Sequence, residues 1–169
     1  KRVTKLEKGF SSVACSSGMA AIFNSIANVV VQGDEIVASC GLYGGTVELF
    51  EDFKSFGITV KYVKDNRPEC FEELITDRTR VVFAETIGNP KLDVTDIEAV
   101  AGVAHKHGVF MVVDNTVSTP YLAQPITLGA DVVVNSSSKY INGSSSAISG
   151  ILTYSGKFKF NAEKYPGLK

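Results

Sequence analysis

Three separated segments of the chain carry polar residues that follow apolar runs. Glu85 follows RVVFA, Asp114 follows VFMVV, and Lys139 follows DVVV within the loop NSSSKYING. Such apolar runs predict buried strands, and in an open parallel sheet ligands bind beyond the carboxyl ends of the strands. A lysine desolvated in a small polar loop can act as a nucleophilic amine, and a carboxylate can hold a ring nitrogen protonated. Their convergence on one rim predicts an active site.

Each of these residues also has an ordinary structural interpretation. A lone lysine such as Lys139 is most often a solvated surface charge, and Asp114 can equally cap a helix or a turn. Only the shared position after buried strands favours a functional role. The residues alone leave both interpretations open.

The segment SSGMAAI predicts the start of a helix, with Ser17, Gly18 and Met19 at its first turn. Free backbone N–H groups and the positive end of the helix dipole suit a phosphate at such a place. A serine here is also a common N-cap, which explains the pattern without any ligand. An independently implied anionic ligand is needed to decide between these two interpretations.

Two turn residues are candidates for contact with a flat ligand. Tyr43, in LYGGT, either lies against an aromatic cofactor beside two glycines or packs on the core. Asn89, in ETIGNP, is either a turn residue before Pro90 or a hydrogen-bond donor to a ligand oxygen. The sequence does not separate these alternatives.

Helical and strand-like segments alternate along the chain, which predicts a single α/β domain whose mostly parallel sheet is sandwiched by helices. The predicted strands cover residues 35–39, 58–63, 80–84, 109–113 and 131–134. The predicted helices cover 19–31, about 45–56 and 69–75, and a further helix starts at a Thr95–Glu98 capping box and ends before Gly108.

The charge balance argues against a polyanionic partner. Seventeen basic and eighteen acidic residues give a formal charge of -1, without a lysine- or arginine-rich block. We therefore expect no nucleic-acid partner. No apolar run approaches the roughly 20 residues that span a bilayer, and KRVTKLEKGF lacks the apolar stretch of a signal peptide. These features predict no membrane partner and a cytoplasmic location.

Neither the cysteines nor the histidines have the spacing of a metal site. Cys15, Cys40 and Cys70 are far apart and form no C-x-x-C pair, which favours free thiols. His105 and His107 lie near the end of a predicted helix, where they point in different directions. A solvated helix end that suits cations is the favoured interpretation, and we expect no metal.

Five stretches of the sequence together resemble one enzyme family in order and spacing: SSGMAAI, LYGGTVELF, ETIGNP, VVDNTVSTPYL and LGADVVVNSSSKYINGSSSAISG. They cover nearly the whole chain and are similar to the Cys/Met-metabolism family of enzymes that use pyridoxal 5'-phosphate (PLP). The resemblance implies a fold-type I, aspartate aminotransferase-like large domain, PLP as cofactor, and a small-molecule amino acid as substrate.

The resemblance implies three catalytic residues. Lys139 would hold the cofactor in a Schiff base and, once released, shuttle protons between substrate carbons. Asp114 would keep the ring nitrogen protonated, so that the ring can accept electrons. Tyr43 would stack on the ring and act as a second acid.

The same resemblance implies binding roles around the cofactor. Asn89 would meet the ring hydroxyl oxygen, Glu85 would support the site from nearby, and Thr116 would lie close to the cofactor. The phosphate would be held by Ser17, Gly18, Met19, Ser136 and Ser138.

The tail GILTYSGKFKFNAEKYPGLK resembles O-acetylhomoserine sulfhydrylases, and cystathionine enzymes usually lack this stretch. The implied reaction replaces the acetate of O-acetylhomoserine by sulfide or a thiol and gives homocysteine or methionine. Cystathionine gamma-synthase, cystathionine lyase and methionine gamma-lyase are the alternatives. Asn135 and Ser144 replace frequent histidines and Ser138 a frequent threonine, and these departures bear on the subfamily more than on cofactor binding.

The resemblance also implies more protein than these residues. Family members extend on both sides, with an N-terminal arm and a C-terminal domain that carries the arginine for the substrate carboxylate. We therefore interpret residues 1–169 as the PLP-binding large domain of a longer chain. Family sites are shared between subunits, which implies a homo-oligomer, a dimer or a tetramer. No arginine of this sequence matches the substrate-binding position: Arg2, Arg67, Arg78 and Arg80.

Two other classes of protein share the alternating pattern. A nucleotide-binding oxidoreductase should show G-x-G-x-x-G after its first strand and an acidic residue further on, and neither is present. A non-catalytic α/β interaction module would tolerate alanine at Lys139 and Asp114 without loss of any ligand.

Overall fold

The structure, a computed structural model, describes residues 1–166 and contains one seven-stranded sheet. The strands are β1 (Ser11–Cys15), β2 (Glu35–Ala38), β3 (Thr59–Tyr62), β4 (Thr79–Glu85), β5 (Phe110–Asp114), β6 (Val132–Asn135) and β7 (Gly150–Tyr154). The helices are α1 (Arg2–Leu6), α2 (Gly18–Ala27), α3 (Gly44–Ser55), α4 (Pro68–Glu72), α5 (Ile97–Lys106) and α6 (Thr119–Leu122), with a 3-10 helix at Pro125–Leu128.

The strand order β1-β7-β6-β5-β4-β2-β3 confirms the predicted α/β fold. Every neighbouring pair from β6 to β3 is parallel, whereas β7 pairs antiparallel with both β6 and β1. The carboxyl ends of β2, β4, β5 and β6 therefore meet at one edge, which we call the carboxyl edge. The opposite edge, where these strands begin, is the amino edge.

Helices pack on both faces of the sheet because the central strands are apolar on both sides. On one face, Ile22 of α2 and Phe50 of α3 join a buried cluster with Phe83 of β4. On the other face, Val100 of α5 joins a second cluster with Val82 of β4. Successive residues of one strand thus serve two cores, as the pleat requires.

The predicted capping box at the start of α5 is wrong. Asp96, not Thr95, caps this helix, and its side chain accepts the backbone N–H of Ala99 at 3.1 Å. The Thr95 hydroxyl instead donates to the backbone carbonyl of Glu85 at 2.8 Å. Thr95 is buried, and this tertiary contact directs its side chain away from the start of the helix. The reciprocal Thr95–Glu98 hydrogen bonds of a capping box therefore do not form.

Two other features depart from the sequence pattern. Helix α2 ends at Ala27, with Asn28 as its C-cap, instead of continuing to residue 31. Strands β1 and β7 were not predicted, because their sequences, SSVAC and GILTY, show no long apolar run. These two strands extend the sheet beside β6 and support the start of α2.

The residues after β7 return to the amino edge and form an aromatic cluster. Phe158, Phe160 and Tyr165 pack on Phe110 and on one another, with ring centroids 4.8–5.9 Å apart. The buried Tyr165 hydroxyl accepts the backbone N–H of Phe110 at 3.0 Å and donates to the carbonyl of Arg80 at 2.8 Å. This tail therefore ties together the starts of β4 and β5.

Within residues 1–166, no helix is long and apolar enough to cross a membrane. In the same range, no group of three or more His, Cys, Asp or Glu side chains could hold a metal ion, and all three cysteines are free. His105 and His107 contact different carboxylates, those of Asp131 and Glu72.

Candidate active site

A pocket of about 600 Å³ lies at the carboxyl edge, where loops after β2, β4, β5 and β6 meet the start of α2. All of the residues singled out from the sequence line this one pocket: Ser17, Gly18, Met19, Tyr43, Glu85, Asn89, Asp114, Thr116, Ser136, Ser138 and Lys139. The parallel sheet thus brings together chemical groups from five separate parts of the chain.

The start of α2 forms one wall of the pocket. Ser17 is the N-cap, and its hydroxyl oxygen accepts the backbone N–H of Ala20 at 3.0 Å, which leaves the hydroxyl hydrogen free to donate. A Cβ on Gly18 would lie 2.6 Å from the Cβ of Ser136, so only glycine allows this approach. Capping and anion binding are therefore compatible at Ser17.

Gly150 permits a second close approach behind the same helix start. A Cβ added to Gly150 would lie 1.9 Å from the backbone carbonyl oxygen of Ser17. Because Gly150 is the first residue of β7, this strand lies directly against the N-cap of α2. The position of the helix start thus depends on a glycine in the sheet.

Glu85 holds two loops of the pocket through their backbones. Its buried carboxylate accepts the N–H of Tyr43 at 2.8 Å and the N–H of Asn89 at 3.2 Å. Burial is the main cause that raises the pKa of Glu85 to about 7, and the charge of Asp114 raises it further, whereas the two N–H groups lower it. Glu85 therefore positions Tyr43 and Asn89 and carries a titratable proton near neutral pH.

Asp114 lies beside Glu85, since the two residues are register partners in β4 and β5. Its Oδ1 accepts the N–H of Thr116 at 2.9 Å, so it caps a turn and still lines the pocket. Burial raises the pKa of Asp114, and the contacts with Thr116 lower it in part. Within residues 1–166, neither Glu85 nor Asp114 forms an ion pair. This end of the pocket therefore suits a cationic group.

Thr116 and Ser138 hold the loop after β6 in place. The Thr116 hydroxyl oxygen accepts the backbone N–H of Ser136 at 2.7 Å. The Ser138 hydroxyl accepts the N–H of Ser149 at 2.8 Å and donates to its carbonyl at 3.0 Å. In this arrangement the Ser138 hydrogen points to Ser149, so contact with an anion requires the hydroxyl to rotate.

Lys139 lines the pocket from the turn after β6, with its backbone N–H on the carbonyl of Ser136 at 3.1 Å. Its side chain is exposed, so the polar loop alone does not desolvate the amine as the sequence led us to expect. The Tyr43 ring is also half exposed and does not pack into the core. Both side chains are free to contact a molecule in the pocket.

Sequence reasoning missed part of the pocket wall. The additional lining residues are apolar or lie in the loop after Lys139: Ile22, Ile87, Val117, Tyr140, Gly143, Ser145 and Ile148. Ile22 is an apolar residue of the predicted helix 19–31, and it also packs in the core. The loop residues follow Lys139 directly, and that proximity was the signal that could have identified them.

The fold and the pocket define a class of protein: an α/β domain whose carboxyl edge offers an amine, unpaired acids and a helix start suited to phosphate. The sequence profile described as "Cys/Met metabolism PLP-dependent enzyme" matches residues 1–166. The chain belongs to this family.

Individual relatives agree with that assignment. The chain is 45% identical to homocysteine/cysteine synthase of Saccharomyces cerevisiae and 45% identical to O-acetyl-L-homoserine sulfhydrylase of Leptospira meyeri, over 98% of this chain and 38% of each relative. A crystal structure from Campylobacter jejuni, assigned as an O-acetylhomoserine (thiol)-lyase, superposes with a TM-score of 0.92 and 35% identity, over 97% of this chain and 41% of that one. That crystal structure contains N'-pyridoxyl-lysine-5'-monophosphate. The chain spans about two fifths of the length of these relatives.

Proposed function

We propose that this chain is the PLP-binding large domain of an enzyme that replaces the acetate of O-acetylhomoserine by sulfide or a thiol to give homocysteine or methionine. The observation that carries this proposal is the convergence of all the family-pattern residues on one pocket. The 45% identity to a homocysteine/cysteine synthase supports the choice of reaction. An N-terminal arm and a C-terminal substrate domain would complete the enzyme.

The wall formed by α2 and the β6 loop fits a phosphate. Helix α2, Gly18–Ala27, directs the free N–H groups of its first turn and its positive dipole end at the pocket. Because Gly18 has no side chain, the side chain of Ser136 packs directly against the start of the helix. We assign the phosphate contacts to Ser17, Gly18, Met19, Ser136 and Ser138.

The wall formed by β4 and β5 fits the ring of the cofactor. Bound PLP supplies an electron sink for the electron pair left behind when a proton leaves a substrate carbon. Asp114 would hold the ring nitrogen protonated, and a cation there would lower the raised pKa of this carboxyl. Tyr43 would lie against the ring and Asn89 would meet its hydroxyl oxygen, both held by Glu85. Thr116 lies between the two walls.

Lys139 is the proposed covalent attachment point and proton carrier. Its exposed amine lines the pocket and forms no ion pair within residues 1–166, so it is free to bind a carbonyl carbon. Once released, the Nζ atom would take and return substrate protons as general base and acid. The Tyr43 hydroxyl would be the second acid.

A homo-oligomer in the cytoplasm is part of the same proposal. Tyr140 and Ile148 line the pocket, yet 67% and 80% of their surfaces are exposed. Large apolar side chains beside a polar pocket suggest that a neighbouring subunit covers them. A second subunit would also exclude water from the exposed Lys139 amine.

The first test uses the full-length protein mixed with PLP and followed by visible absorption before and after borohydride reduction. We expect a visible band that reduction removes, and mass spectrometry should then find the pyridoxyl group on Lys139. A Lys157→Ala variant, which changes an exposed lysine far from the pocket, serves as the control and should behave like the wild type. Modification of a different lysine, or no binding at all, would overturn the assignment.

A product assay tests the reaction itself. O-acetylhomoserine with sulfide or methanethiol should give homocysteine or methionine at a higher rate than any keto acid appears. Faster release of a keto acid and ammonia would instead show a gamma-lyase, and preferential use of cysteine as the thiol would show a cystathionine synthase. If alanine variants of Lys139 and Asp114 still bind every ligand of the wild type, a non-catalytic module would be favoured instead.

A further inference from the structure

A buried carboxyl group lies behind the pocket, outside every role given above. Glu7, the C-cap residue of α1, is fully buried. Its Oε1 accepts the side-chain amide Nδ2 of Asn115 at 3.1 Å and that of Asn135 at 2.8 Å. Both asparagines are also buried. We call these three residues the Glu7 cluster.

The position of the Glu7 cluster links the two walls of the pocket. Asn115 directly follows Asp114, and Asn135 directly precedes Ser136. Because successive side chains of an extended segment point to opposite sides, the asparagines face Glu7 while their neighbours line the pocket. One carboxyl group therefore contacts the residues behind both the ring wall and the phosphate wall.

The Glu7 cluster contains more acceptors than donors. Glu7 Oε2, Asn115 Oδ1 and Asn135 Oδ1 are buried and have no partner among the described residues. An unpaired buried polar atom destabilises the folded state. A proton on Glu7 supplies a donor for one of these oxygens and removes the charge. Burial raises the pKa of Glu7, against the hydrogen bonds from Asn135 and Asn115.

We infer that Glu7 is a positioning residue, which, as a neutral carboxylic acid, holds Asn115 and Asn135 and thereby fixes Asp114 and Ser136 at the spacing that cofactor binding requires. This inference deepens the proposed function and rests on it for the identity of the ligand. Glu7 itself touches no part of the pocket.

The test measures the PLP dissociation constant of the full-length protein for the wild type, Glu7→Ala and Glu7→Gln. We expect Glu7→Ala to weaken binding about tenfold, because the amides of Asn115 and Asn135 both lose the acceptor that holds them. Glu7→Gln should stay within about threefold of the wild type, because an uncharged amide keeps the acceptor and adds donors. An equal loss of PLP affinity in Glu7→Ala and Glu7→Gln would show that Glu7 does not act as a neutral acid and would overturn the inference.

Glu35→Ala is the matched control, since Glu35 is equally buried but lies at the amino edge. It should lower the thermal midpoint of the apoprotein at least as much as Glu7→Ala while changing PLP affinity less than about twofold. Similar affinity losses in both variants, or a folded Glu7→Ala that binds like the wild type, would overturn the inference.

If Glu7→Ala does not fold, Asn135→Ala replaces it, with an expected loss of PLP affinity of about fivefold. A wild type that binds no PLP would instead contradict the proposed function, and with it this inference.

Discussion

The two edges of the sheet treat their buried acids in opposite ways. At the amino edge each acid meets a basic side chain: Asp34 contacts Arg80 at 3.1 Å, Glu35 contacts Lys61 at 2.6 Å, and Asp131 contacts His105 at 2.9 Å. At the carboxyl edge, acids are held by N–H groups instead: Glu7, Glu85 and Asp114.

The difference appears in the direction of the pKa shifts. Burial raises the pKa of Glu35, but the hydrogen bonds and charges of Lys61, Thr76 and Arg78 outweigh it, so the pKa is lowered. Burial prevails at Glu85 and Asp114, and their pKa values are raised. The amino edge is thus built for stability, whereas the carboxyl edge keeps buried acids without a basic partner among residues 1–166, which leaves them available to a ligand.

The largest expected effect is on activity at the carboxyl edge, where a substitution should leave stability almost unchanged. Lys139→Ala should reduce activity at least about a thousandfold, because the proposed role of Lys139 requires its nucleophilic amine. The free energy of unfolding of the apoprotein should change by less than about 0.5 kcal/mol, since the side chain is exposed. Steady-state kinetics and urea unfolding measure the two quantities. A large loss of apoprotein stability would break the proposed division between the edges.

The next effect tests how the sheet supports the pocket. Gly150→Ala should lower the free energy of unfolding by about 3 kcal/mol, since its methyl group overlaps the Ser17 carbonyl. PLP binding should weaken as well, because the start of α2 must move. Gly44→Ala is the control, as a Cβ there meets nothing within 4 Å. Equal stability of the two variants by urea unfolding would contradict the close approach.

The third test compares the pH dependence of stability. The pKa of Glu85 is about 7 in the folded chain, above its unfolded value, so the folded state binds the proton more tightly. The stabilisation that this proton gives to the folded state is complete below about pH 4.5. It is lost as pH rises through 7, which lowers the free energy of unfolding by up to about 3 kcal/mol. Unfolding free energies of Glu85→Gln should therefore rise relative to the wild type between pH 5 and pH 8. Parallel curves for the two proteins would show that Glu85 is not perturbed, and the exposed Glu48→Gln should follow the wild type.

The smallest effect belongs to the amino edge. The hydrogen bond to Asp131 raises the pKa of His105, burial opposes it, and the Asp131 charge adds to it. The stabilisation is complete below the unfolded pKa of about 6.5 and is lost as pH rises through the folded value. His105→Asn should lower stability by less than about 1 kcal/mol at pH 6, because the pair is partly exposed, and by less still at pH 9. A loss that grows toward pH 9 would contradict this sign.

Much of the site was predictable because strand ends follow apolar runs. Glu85, Asp114 and Lys139 each come after such a run, and a parallel sheet necessarily brings these positions to one edge. The motif resemblance added the residues in turns, such as Tyr43 and Asn89, whose alternatives the sequence had left open. Their individual roles toward PLP stay predictions.

What escaped prediction depends on contacts between distant segments. Glu7 lies in the charged stretch KLEKG, which is typical of an exposed helix, yet residues 108 and 128 positions later bury it. Thr95 and Asp96 are both good N-caps, and only the contact of Thr95 with the Glu85 carbonyl decides between them. Local patterns carry no information about either contact.

The aromatic cluster at the amino edge is a suitable place for a fluorescent probe of unfolding. The chain contains no tryptophan, so tyrosine dominates its protein fluorescence. A tryptophan in place of Phe158 would sit among Phe110, Phe160 and Tyr165 and report when the amino edge opens. A tryptophan in place of Tyr43, half exposed in the pocket, would report on the opposite edge. The emission wavelength and intensity of these two single-tryptophan variants, compared during unfolding, would show which edge opens first.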